Sequence, residues 1–72
     1  MGGAKADILE LIRSAVATAL PSGFVPTTDP KDLGIADYRW DRSSDSTEVE
    51  LSSGDESDGT IEYHIEIYHF TT

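Results

Sequence analysis

Apolar residues recur at helical spacing in the first third of the chain and at every second position in its last half. That change of period divides the chain into a helix followed by strands. From Asp7 to Leu20, Ile8, Leu9, Leu11, Ile12, Ala15, Val16, Ala19 and Leu20 fall within one half of a helical wheel. Asp7, Glu10, Arg13, Ser14, Ala17 and Thr18 take the other side. The pattern predicts an amphipathic helix over about residues 5–20. Asp7 followed by Glu10 has the spacing of a capping box, with Asp in place of the usual Ser or Thr. Pro21-Ser22-Gly23 ends the helix.

Residues 21–34 read as an irregular connection. Phe24 and Val25 can pair briefly as an edge strand before Pro26. "TTDPKDLG" then reads as one helical turn, with Asp29 as cap, Pro30 at the first helical position, Leu33 pinned to the core and Gly34 closing it. Three strand patterns follow. Ala36, Tyr38 and Trp40 alternate with Asp37, Arg39 and Asp41. Thr47, Val49 and Leu51 alternate with Glu48 and Glu50, and Ile61, Tyr63, Ile65 and Ile67 alternate with Glu62, His64 and Glu66. Short polar links favour antiparallel pairing of consecutive strands. The expected fold class is α+β: an N-terminal amphipathic helix packed on a three-stranded antiparallel β-meander, in the order α-β-β-β, with the sheet over about residues 35–70. One sheet face meets the helix and the other meets water. A chain of 72 residues makes a single domain, 1–72, with a marginal core and no room for a large enclosed active site.

Charge changes this picture most. Fourteen acids stand against five bases, for a formal net charge of −9. Residues 1–36 carry three bases and four acids, whereas residues 37–72 carry two bases and ten acids. The excess negative charge therefore lies in the sheet half, which disfavours direct contact with nucleic acid or anionic membranes and favours basic partners. There is no cysteine, so neither a disulfide framework nor a thiolate metal site is available. No apolar run approaches the length of a membrane span, and "MGGAKADILE" lacks the pattern of a signal peptide. The expected location is cytoplasmic.

Sites of specific chemistry are few. In "LSSGDESDGTIE" an EF-hand alignment with Gly59 at position 6 places Glu56 and Asp58 at ligand positions. It leaves Gly54 and Ile65 where the first and last acids are required, so the segment reads as a hairpin loop. Glu62, His64 and Glu66 line up on one strand face, but His69 points to the other face and no second histidine completes a ligand set. An enzyme reading would rest on His64 and its neighbouring carboxylates. No nucleophile elbow and no phosphate loop is present. Tyr38 and Trp40 read as core residues rather than a base-stacking platform. No catalytic residue, metal ligand or cofactor is expected.

What remains is a collective acidic surface. Glu48, Glu50, Glu62 and Glu66 project from adjacent strands, Asp55, Glu56 and Asp58 extend the field at the hairpin tip, and Asp41 and Asp45 extend it at the other end. Like charges on neighbouring strands reduce stability, and a chain this short has little to spare, which points to a use for the field. In size, absence of cysteine and charge layout the whole chain resembles the small acidic anti-CRISPR proteins of phages that act on type I systems. The resemblance implies a non-enzymatic inhibitor, located in the host cytoplasm, that binds a basic nucleic-acid-binding subunit of the surveillance complex. It would do so as a DNA mimic, as a monomer or weak dimer, through Glu48, Glu50, Asp55, Glu56, Asp58, Glu62 and Glu66. Two other readings compete with it. One is a structural or adaptor protein docking through Leu9 or Leu11 of its helix. The other is a salt-adapted acidic domain, which would unfold at low salt.

Overall fold

The computed structural model describes residues 3–70. Helix α1 spans Gly3–Ala19, strand β1 Val25–Pro26, the single turn α2 Pro30–Leu33, β2 Tyr38–Arg42, β3 Thr47–Asp55 and β4 Ile61–Tyr68. The α+β class holds, but the sheet has four antiparallel strands in the order β1-β2-β3-β4. The added strand is the short pairing open to Phe24 and Val25, moved on by one residue. Val25 lies opposite Asp41 and Pro26 opposite Trp40. The Thr27 N–H then bonds to the Arg39 carbonyl at 2.8 Å, beyond the proline that cannot donate.

Helix α1 begins before Asp7, because Ala4, Lys5 and Ala6 are good helix formers that carry it back. Asp7 therefore lies inside the helix rather than at its cap. Glu10 does not reach back to a backbone N–H; it accepts from Arg13 Nε at 2.8 Å. The helix stops where expected. Leu20 N–H closes onto Val16 C=O at 3.0 Å, and Pro21 offers no N–H and disfavours helical backbone before it. Gly23 turns the chain at φ +97°, packed against Arg42, whose guanidinium lies 4.8 Å from the centre of the Phe24 ring. At α2 the Asp29 side chain accepts from Lys31 N–H at 3.0 Å, and Gly34 follows at φ +60°.

The core is Trp40, Val49 and Leu51, packed by Leu9, Ile12, Val16 and Leu20 of α1 and by Phe24 and Tyr38. All three buried residues lie on β2 and β3, paired in register as Trp40 with Val49 and Tyr38 with Leu51. Thr47 is also buried, its Oγ1 2.9 Å from Nδ1 of His69. β2 begins at Tyr38 rather than at residue 35, and Ile35 stands fully exposed.

The expectation that α1 covers one whole face of the sheet fails at β4. Leu51 is 0% exposed, whereas Ile65 directly across from it is 52% exposed; Val49 is 3% exposed and its neighbour Ile67 67%. One helix spans too narrow a width to cover four strands about 4.8 Å apart. It sits over β2 and β3 and leaves most of β4 exposed, Tyr63 being half-buried.

Candidate functional site

Pleating sets the composition of the outer face, the one turned away from α1. Side chains alternate along each strand, so the face opposite Trp40, Val49 and Leu51 carries Arg39 and Asp41 of β2, Glu48 and Glu50 of β3, and Glu62, His64, Glu66 and Tyr68 of β4. Register then brings particular groups together. Glu50 lies opposite Glu66 on one side and opposite Arg39 on the other, Glu48 lies between Asp41 and Tyr68, and Glu62 faces Gly54. Of the seven residues expected at the site, Glu48, Glu50, Glu62 and Glu66 share this face.

The other three stand elsewhere. Asp55 projects to the helix side, where it meets Lys5 at 3.6 Å. Glu56 closes the hairpin through its backbone, its N–H bonding to Thr60 C=O at 2.9 Å and its C=O accepting from Gly59 N–H at 3.2 Å. Asp58 caps the turn: its Oδ1 accepts from Thr60 N–H at 3.0 Å and from Thr60 Oγ1 at 2.7 Å. These bonds hold the Asp58 carboxyl below the usual carboxylate range. Gly59 at φ +90° completes the tight turn. Among the described residues no three His, Asp or Glu side chains gather as metal ligands. Asp45 is also engaged, by Arg42 at 2.8 Å and by Thr47 N–H at 3.2 Å. Those hydrogen bonds, Arg42 first, hold its carboxyl far below its ordinary value.

Arg39 is the organising cation of the outer face. Its guanidinium donates to Asp41 Oδ1 at 3.0 Å, reaches Glu48 Oε1 at 2.9 Å and donates to the Asp32 carbonyl at 3.0 Å. Burial pushes the Asp41 carboxyl up, and hydrogen bonds from Thr27 Oγ1 and Arg39 outweigh it, leaving the group below its usual range. The β2 alternation had placed Arg39 opposite Trp40; only the register shows that it serves Asp41 and Glu48.

Among the described residues no Lys or Arg side chain pairs with the carboxylates of β4 on this face. Tyr68 reports the field there, its hydroxyl donating to Glu66. Its proton is held above the ordinary tyrosine value, first by that bond, then by the charge of Glu66 and partial burial, with Glu50 and Glu48 adding. His64 Nε2 lies 3.3 Å from Glu62 Oε2. Five carboxylates against one guanidinium thus give the outer face a graded charge, neutralised at the β2 side and open at the β4 side.

No family model, curated protein or solved structure matches this chain. Among the described residues no helix is long and apolar enough to cross a membrane.

Proposed function

We propose that the chain is a non-enzymatic inhibitor of the anti-CRISPR kind, whose acidic sheet face occupies a basic DNA-binding surface of a type I surveillance complex. The observation that supports this reading is the outer face itself. Glu48 and Glu50 on β3, with Glu62 and Glu66 on β4, form two rows whose alternate side chains stand about 6.6 Å apart. The strands fix the backbone positions from which these carboxylates project before any partner arrives, so no backbone ordering entropy is lost on binding. Lys and Arg side chains that normally meet phosphates would meet the two rows instead, with fast, salt-sensitive association.

Binding to the surveillance complex tests the reading, measured at low and high salt and in competition with target DNA. The wild type is expected to bind, to be released by salt and to exclude DNA. Glu48→Lys/Glu50→Lys is expected to lose inhibition with its fold retained by circular dichroism. Full inhibition by that folded double variant refutes charge mimicry. Docking through the helix is favoured by one observation of its own, the 66% exposure of Leu11. Leu11→Glu would then abolish partner binding and the outer-face variant would not.

A further inference from the structure

The two edges of the sheet are unlike. β1 offers two residues, one of them Pro26, and is a poor template for another strand. β4 offers eight residues without proline, glycine or lysine. The hairpin bond from Glu56 N–H to Thr60 C=O fixes which β4 groups are already used. By antiparallel alternation, Glu62, His64, Glu66 and Tyr68 bond back to β3, and Ile61, Tyr63, Ile65 and Ile67 turn their N–H and C=O groups outward. The same strand carries the uncovered apolar face: Ile61, Ile65 and Ile67 are all exposed, whereas the core among the described residues holds three buried apolar side chains. An unpaired edge and an uncovered apolar face on one strand mark an interaction surface.

We propose that β4 pairs with β4 of a second copy, antiparallel across a two-fold axis at Ile65, giving one continuous eight-stranded sheet. Cross-strand side-chain matching selects both the occupant and the register. Two-fold pairing that keeps apolar residues on one face must slide in steps that place a residue opposite itself. With Ile65 on the axis, His64 lies opposite Glu66 of the second copy, twice. Ile67 meets Tyr63, and residues 62–68 all pair. With His64 on the axis, Glu62 lies opposite Glu66 twice, and with Glu66 on the axis the two Glu66 side chains oppose each other; like charges directly opposite are destabilising. With Tyr63 on the axis the overlap within β4 shrinks to residues 61–65. The Ile65 register alone joins a long ladder to a pairing in which no two carboxylates lie directly opposite, and the His64 ring can hydrogen-bond to Glu66. The outward groups of Tyr63, Ile65 and Ile67 then find partners, and the isoleucines lose water. This pairing does not rest on the inhibitor reading.

Single cysteines test it cleanly in a chain that has none. Directly opposed Cα atoms in a hydrogen-bonded pair lie about 5.5 Å apart, within disulfide range. Ile65→Cys is expected to form a covalent dimer under mild oxidation, at a yield at least tenfold above His64→Cys. Light scattering of the wild type is expected to show mass doubling as concentration rises into the tens of micromolar. Ile65→Lys is expected to stay monomeric with native circular dichroism and Trp40 fluorescence. A wild type that remains monomeric to millimolar concentration overturns the proposal, as does a folded Ile65→Lys that still doubles in mass. Preferential cross-linking of His64→Cys overturns the register.

Discussion

Leu51→Ala and Ile65→Ala form the sharpest test of where the core lies, because the two residues are cross-strand neighbours on the same face. By pattern they are equivalent. By burial they are not, at 0% and 52% exposure. Truncating a fully buried leucine removes its transfer free energy and leaves a cavity, at about 3–4 kcal/mol. A domain of this size holds only about 3–5 kcal/mol in its core, so Leu51→Ala should be largely unfolded in water. Full burial of an isoleucine is worth about 1.5–3 kcal/mol. Ile65 realises about half of that and leaves no cavity, so Ile65→Ala should cost about 1 kcal/mol. Trp40, the sole tryptophan and a core residue, makes fluorescence in urea a direct readout. With a slope of about 1 kcal/mol per molar urea, the midpoint should fall by about 3 M or vanish for Leu51→Ala and by about 1 M for Ile65→Ala. The measurement belongs in dilute solution, where light scattering gives the monomer mass. Equal costs there would mean that α1 covers β4 as well, and the argument for a bare edge would fail.

Two further outcomes follow from local geometry. Gly23→Ala combines φ +97° with a Cβ placed 3.0 and 3.2 Å from the Arg42 stem, whereas Gly59→Ala meets open space at φ +90°. Left-handed strain alone should cost about 1 kcal/mol at Gly59, and Gly23→Ala should cost about 1 kcal/mol more through displacement of Arg42 from Phe24. Equal urea midpoints for the two variants would remove the Arg42 stack from the account. The carboxyls of Asp41, Asp45 and Asp58 all titrate below their ordinary range, so the native state holds fewer protons than the unfolded chain in acid. Their contribution is present above about pH 4 and is lost as pH falls further through the folded values. Urea midpoints should drop from pH 5 to pH 3, and Asp45→Asn should flatten that fall; an unchanged slope in Asp45→Asn would show that its bonds add nothing.

Periodicity made the helix, the three long strands and the face membership of nearly every β residue legible before any coordinates. It could not show width. Ile65 and Leu51 carry the same period-two signal, and only the position of α1 over β2 and β3 separates a core residue from an exposed one. The β1 pairing was half legible, because Val25 suggested a strand and Pro26 argued against extending it. At the acidic site the four strand glutamates were placed correctly by alternation. Asp55 was not, since one step along a strand reverses the face and sends it toward Lys5. Arg39 was underread for a different reason: its partners Asp41 and Glu48 come together through neighbouring positions in two paired strands, and register is not written in either strand alone.

Salt separates the two surfaces of this sheet because it acts on them with opposite sign. Contact between the outer-face carboxylates and a basic partner is attractive, and screening weakens it as the Debye length falls from about 10 Å at 0.1 M to about 3 Å at 1 M. Pairing of β4 with a second copy brings together two chains that each carry −9, and the same screening removes a repulsion. Its favourable part is apolar burial and main-chain hydrogen bonds, which salt scarcely weakens. One titration with sodium chloride should therefore lower affinity for a basic partner while raising the dimer fraction. Dimerisation that weakens with salt would mean that the His64–Glu66 pairs outweigh the repulsion between the two chains. His64→Gln would then reverse the trend, because it removes the imidazole from the pairing while leaving Ile65, Ile67 and the ladder unchanged.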